Sequence, residues 1–182
     1  MVKGGITTSE GKKINETLDW IIHIAIAILI GVLIVTFIGQ PTLVHDISMQ
    51  PTLVEGDYLV VEKLSPRLGG LHRGDIIVFY VPEEGRLLIK RLIALEGDKL
   101  EIKDGKVFVN GAESKVVDLK GVETLPGDGE YSNLTIPAGY IYAMGDNRTH
   151  SNDSRVLGPI EAKRVTGRAI FRLFPFNRIG KP

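Results

Sequence analysis

The run WIIHIAIAILIGVLIVTFIG, residues 20–39, contains no Asp, Glu, Lys or Arg. A helix crosses the hydrocarbon core of a bilayer with about 20 apolar residues at 1.5 Å rise each. A core helix in so short a chain would carry a polar stripe along one side, and this run has none. Trp20 suits the headgroup boundary, and His23 lies near the start, where it can stay interfacial. The segment is expected to be a transmembrane anchor helix. A cleaved leader would have a shorter apolar core followed by small residues at alternate positions. Gln40-Pro41-Thr42-Leu43-Val44 offers no such pattern.

Outward from the anchor the chain divides into two unequal parts. Residues 1–19 carry Lys3, Lys12 and Lys13 beside Glu10, Glu16 and Asp19. Only Lys and Arg weigh strongly in orientation, so this tail is expected in the cytoplasm. The chain then crosses the plasma membrane once, and residues 40–182 form the external domain. There the pattern shifts to short β-type runs bounded by Gly, Pro and Asp: 58–64 (YLVVEKL) and 75–81 (DIIVFYV). Residues 99–103 and 106–110 alternate apolar with polar, and Asp104-Gly105 between them fits a two-residue hairpin turn. Residues 140–144 and 165–173 read as further strands. Residues 86–95 (RLLIKRLIAL) tolerate a helix by composition, yet the surrounding Gly and Pro favour a strand. Residues 114–133, with mixed charge and weak periodicity, read as a loop or insertion. The expected fold is mostly β, a barrel or sheet domain behind one N-terminal membrane helix.

Composition narrows the function. In 182 residues, 22 Lys and Arg balance 22 Asp and Glu, without the basic excess of a nucleic-acid-binding surface. The absence of cysteine excludes disulfides, thiolate catalysis and cysteine-bound zinc. His23, His45, His72 and His150 share no metal-ligand spacing, so neither a metal nor another cofactor is expected.

Three polar segments stand out in the external domain. The first is Ser48-Met49-Gln50-Pro51-Thr52-Leu53, followed by Gly56-Asp57. Alone, a Ser in such a stretch reads as a turn residue. The second is Lys90-Arg91 inside an apolar run, where a lysine commonly points to solvent from a strand. The third runs from Gly145-Asp146-Asn147-Arg148 through Ser151-Asn152-Asp153-Ser154-Arg155, and alone reads as a polar turn.

Together, in this order and behind an anchor, these blocks resemble those of bacterial type I signal peptidases. The resemblance runs from the anchor to about residue 160. It implies a largely β serine endopeptidase that removes signal peptides from exported preproteins, cutting after small residues of the A-x-A type. Ser48 would be the nucleophile and Lys90 its general base. Ser151 would orient the Lys90 amine, Arg91 would be tied to Asp153, and Asp153 would also meet Arg155. Val44, Met49, Leu53, Leu88 and Ile89 would line shallow apolar substrate pockets, though each also suits a plain core. The implied partners are signal peptides, the bilayer and the protein-export channel.

The residues support this chemistry independently. A serine hydroxyl needs an adjacent base, and lysine serves only when neutral. Lys90 lies between Leu87-Leu88-Ile89 and Leu92-Ile93, and burial there would disfavour its ammonium form. Arg91 next to it could add to the depression. Ser48 follows the anchor by about nine residues, so an extended chain keeps it within roughly 30 Å of the bilayer.

Some relatives place a hydroxyl two residues before the nucleophile to assist the oxyanion, beside the nucleophile's own N–H. Here that residue is Asp46, whose carboxylate cannot donate. Either Asp46 points away, or the oxyanion hole relies on backbone groups alone. His150 admits a rival triad with Ser48 and Asp153, and equally an ordinary exposed loop role. The apolar stretch 171–176 could enter the lipid interface or contribute rings to the sheet core. Self-cleaving repressors share Ser/Lys chemistry, but would carry a DNA-binding helical domain where this chain has its lipid-length run. A non-catalytic assembly protein of this fold would be marked by loss of Ser or Lys, and both are present.

Overall fold

The computed structural model describes residues 10–33, 39–116, 122–127 and 129–182. It divides into one compact unit ending at Ile38 and another beginning at Gly39. In the first, helix α1 (Glu10–Leu33) starts earlier than the apolar run and enters the expected tail. Its stretch Glu16–Leu33 has a mean hydropathy of 1.9, and none of it is buried against protein. Residues 34–38 of the expected span lie outside the described residues. Gly39, expected to end that span, instead opens strand β1 (Gly39–Leu43), opposite Glu62.

The second unit is built on strands. In chain order these are β2 (Tyr58–Glu62), β3 (Ile76–Val81), β4 (Arg86–Ala94), β5 (Lys99–Lys103), β6 (Lys106–Val109) and β7 (Ala112–Glu113). They continue with β8 (Asn133–Thr135), β9 (Tyr140–Met144), β10 (Ile160–Glu161) and β11 (Val165–Phe174). Among the described residues they form two sheets, ordered β1-β2-β11-β3-β4-β9-β10 and β7-β6-β5-β8.

Position in these sheets explains the sequence patterns. β3 lies between β11 and β4, and β4 between β3 and β9, and successive residues are buried along most of both strands, so there both faces are covered. Such strands read as continuous apolar runs without alternation, which is why 86–95 is ambiguous by composition and yet is a strand. β5 is half-buried and alternates. Its hairpin to β6 turns through Asp104 and Gly105, both at positive φ (50° and 72°), as a two-residue turn requires.

Two short helices, α2 (Leu64–Leu68) and α3 (Ser154–Leu157), had no periodic signature. α2 takes over the end of the expected strand 58–64. Of the expected loop 114–133, residues 117–121 and 128 lie outside the described residues, and Asn133 opens β8. The aromatic stretch 171–176 does not feed the core. Phe171, Phe174 and Phe176 are exposed, with Phe174 edge-on to both Tyr58 and Phe176.

Candidate active site

Ser48 sits in a 3₁₀ turn, Ile47–Met49, on the loop joining β1 to β2. That loop is fastened from both sides. Val44 N–H donates to the Asp57 carbonyl and Gly56 N–H to the Val44 carbonyl, each at 2.9 Å. The buried Asp57 carboxylate pairs with Arg172 and Arg178, and Arg178 also donates to the Thr52 carbonyl at 3.1 Å. Met49 and Leu53 anchor the loop in a core cluster with Ile76 and Val78 of β3. The Ser/Pro/Thr stretch is thereby fastened by backbone bonds, ion pairs and core packing.

Lys90 comes from the middle of β4, where both sheet faces are covered. It is 1% exposed and Ser48 is 2% exposed, and Lys90 Nζ lies 2.6 Å from Ser48 Oγ. Burial pushes the Lys90 pKa down, and Arg86 adds to this. Asp46, Asp153 and Glu84 oppose the shift without reversing it. The arrangement can therefore hold a neutral amine against a serine hydroxyl, which is what proton abstraction from that hydroxyl needs.

The third block wraps this pair. β9 ends at Met144, packed in the core cluster that includes Leu100 and Ile102 of the second sheet, so the following residues start from a fixed point. Asn147 N–H donates to the Ser48 carbonyl at 2.9 Å, and its side chain to the Ile47 carbonyl at 3.2 Å. Gly145 N–H donates to Asp153 at 2.9 Å. Asp153 in turn holds Arg155 through paired bonds of 2.9 Å each, and caps α3. Burial alone would raise the Asp153 pKa, but Arg155 and the Gly145 N–H outweigh it and hold the carboxyl below its usual range.

Several pairings differ from those the resemblance implied. Arg91 is tied to Asp146, not Asp153: Nε and Nη2 reach its two carboxylate oxygens at 2.9 and 2.6 Å. Asp153 faces Arg155 alone as its ion-pair partner among the described residues. Ser151 makes no hydrogen bond to Lys90. Its buried Oγ stands against Gly145 and near Asp153, whose carboxyl it helps to hold low, though it falls outside hydrogen-bond geometry to any described residue. Asp46 does not point away from Ser48, because its Oδ1 accepts the Ser48 N–H at 2.9 Å. The His150 ring is exposed and bonds only to Thr149 among the described residues, so it has no bond to Ser48.

Asp146 and Thr52 stand in the sequence blocks without an expected role. Thr52 Oγ1 donates to Asp146 at 2.6 Å, and with the Arg91 bonds this joins the Ser48 loop, β4 and the third block in one knot. A hint lay in Arg91 itself, since an arginine inside a doubly covered strand must find a carboxylate.

A cleft of about 550 Å³ opens beside Ser48, lined by residues 42–49, Val78 and residues 86–89. Val44, Met49, Leu88 and Ile89 are in its wall. Leu53 is fully buried in the core and does not line it.

Gly145 has no room for a side chain. A Cβ there would fall onto Ser151 Oγ and within 2.5 Å of the Ser48 carbonyl oxygen. The backbone carrying Ser48 would have to move, and misplacements of about 1 Å of a reacting group cost on the order of 10²-fold in rate. Gly145→Ala is thus expected to lower any turnover that depends on Ser48 by about that factor while the chain still folds.

The family model described as "Signal peptidase, peptidase S26" matches residues 17–174. The chain is 38% identical to Signal peptidase I of Bacillus licheniformis, covering 95% of this chain and 96% of that protein. It is 36% identical to Signal peptidase I T of Bacillus subtilis (strain 168), covering 92% and 91%. A crystal structure of a signal peptidase I from Enterococcus faecalis V583 is 32% identical, covers 54% of this chain and 95% of that one, and has a TM-score of 0.46.

Proposed function

The chain belongs to the signal peptidase family, peptidase S26, and from that premise we propose that it is a membrane-bound serine endopeptidase that removes signal peptides from exported preproteins. Ser48 is the nucleophile and neutral Lys90 the general base. The observation that carries this reading is the 2.6 Å approach of Lys90 Nζ to Ser48 Oγ in a buried setting that favours the neutral amine.

Ser48 Oγ attacks the scissile carbonyl carbon as Lys90 takes its proton. The resulting ammonium returns that proton to the leaving amine, releasing the mature protein and leaving an acyl-serine. Water then attacks the ester, again with Lys90 as base, and frees the signal peptide and Ser48. The Ser48 N–H stabilises the oxyanion in both halves. Arg91, Asp146, Asp153 and Arg155 hold the dyad in place from behind, and Ser151 packs beside it.

Val44, Met49, Leu88 and Ile89 give the cleft apolar walls suited to small side chains before the cut. Replacing alanine by phenylalanine at the first position before the cut of an A-x-A precursor should lower kcat/KM by about 10²-fold, read by mass spectrometry of the products. Equal cleavage of both precursors would show that these walls do not select.

α1 supplies a single-pass plasma-membrane anchor with its N-terminus in the cytoplasm and residues 40–182 outside. The bilayer and the protein-export channel are its further partners. The exposed rings of Tyr58, Phe174 and Phe176 are of the kind that settle at headgroup level.

A further inference from the structure

Asp46 caps the turn that carries the nucleophile, its Oδ1 accepting the Ser48 N–H at 2.9 Å. With Ser48 as nucleophile, the premise on which any role for Asp46 rests, that same N–H must serve the oxyanion. One N–H cannot serve a carboxylate and a developing oxyanion together, and two negative charges sharing it repel.

Asp46 is free to leave. Its side chain is 46% exposed, and Oδ2 faces Arg86 Nη1 at 4.0 Å, within ion-pair reach. Arg86 is itself steadied by Glu84, which accepts from its Nε at 2.5 Å, and both Asp46 and Arg86 line the cleft beside Ser48.

We propose that Asp46 is a positioning residue that masks the Ser48 N–H in the empty and the substrate-bound enzyme and yields it to the oxyanion only as the tetrahedral intermediate forms, its carboxylate passing to Arg86 at that step. The mask keeps the 3₁₀ turn formed without substrate and must be displaced in each turnover. Asp46 also acts on the base. With Asp153 and Glu84 it raises the Lys90 pKa, against burial and Arg86. His45, next in the chain, lines the same cleft.

Two variants separate these effects in the full-length enzyme in detergent. Asp46→Asn keeps the shape and a capping oxygen without the charge, and Asp46→Ala removes the cap. Cleavage of an A-x-A precursor is followed as a pH profile. On the alkaline plateau, where Lys90 is neutral in every form, kcat is expected to rise roughly fivefold in Asp46→Ala, the scale of a lost cap, with a smaller rise in Asp46→Asn. KM should stay unchanged. The acid limb should move to lower pH in both, because removing a negative charge lowers the Lys90 pKa.

A plateau kcat unchanged or lowered in both variants overturns the mask, even if the acid limb moves. If Asp46→Ala melts early, Asp46→Asn decides alone: a plateau rise supports the mask and no rise overturns it. No cleavage by the unsubstituted enzyme, or cleavage that persists in Ser48→Ala, overturns the catalytic reading itself and the mask with it.

Discussion

Lys90→Met is expected to lower kcat for precursor cleavage by about 10⁴-fold, with KM little changed and the fold retained. Methionine keeps most of the volume and apolar stem at a position that is 1% exposed, so the core stays filled while the base is lost. Without it, Ser48 must lose its proton to solvent it barely touches. Ser48→Ala should fall by a similar factor, and the double variant no further, because two groups acting in one proton transfer are lost only once. pH supplies a second signature. Only the neutral amine abstracts a proton, so kcat/KM of the unsubstituted enzyme rises as pH increases through the Lys90 pKa. Burial places that midpoint below the ordinary lysine range. His150→Ala should keep kcat within about twofold, since its ring is exposed and reaches only Thr149 among the described residues. The reverse pattern, with activity lost on His150→Ala and kept in Lys90→Met, would sink the dyad.

How far the sequence carries depends on the range of each interaction. β5, β6 and their turn were legible because alternation and an Asp-Gly pair are local signals. β4 was less so, since an interior strand erases alternation. The dyad could not be read locally at all. Ser48 and Lys90 each suited a bland role, and only the three blocks taken together, behind an anchor, made them candidates. The exact pairings lay further out of reach. Arg91 and Asp146 are 55 residues apart, and which carboxylate Arg91 finds depends on the register of β4 against β9, with its irregularity between Leu92 and Ala94. Asp46 stands out in the sequence because it occupies the position, two residues before Ser48, where the resemblance allows a hydroxyl. Its inward turn is a cap on the Ser48 N–H, the group the proposed mechanism also needs, and no spacing shows which use prevails.

Asp146→Ala is expected to destabilise the β-rich unit by about 3–5 kcal/mol, the scale for removing one partner of a buried ion pair. Asp146 is 1% exposed and takes two bonds from Arg91 and one from Thr52. Without it the Arg91 guanidinium keeps the Gly74 carbonyl at 2.8 Å, which offsets a fraction of its lost hydration. In a chain of this size the melting temperature should drop by roughly 10 °C. Asp146→Asn, able to accept but not to neutralise, should fall between the two. Arg91→Met combined with Asp146→Ala should recover much of the loss, because an apolar replacement of the whole pair leaves no uncompensated charge. That recovery should not extend to activity. Thr52 would still lack its acceptor, and the link from the nucleophile loop to the third block would rest on Asn147 alone. Glu113→Ala, which breaks only the exposed pair with Lys106, is the control and should shift stability by less than about 0.5 kcal/mol. An Asp146→Ala enzyme that melts with that control would mean that the buried pair is not what fastens the nucleophile loop to β4. A recovered melting temperature with activity still depressed would separate the two tasks of Asp146, neutralising Arg91 and holding Thr52.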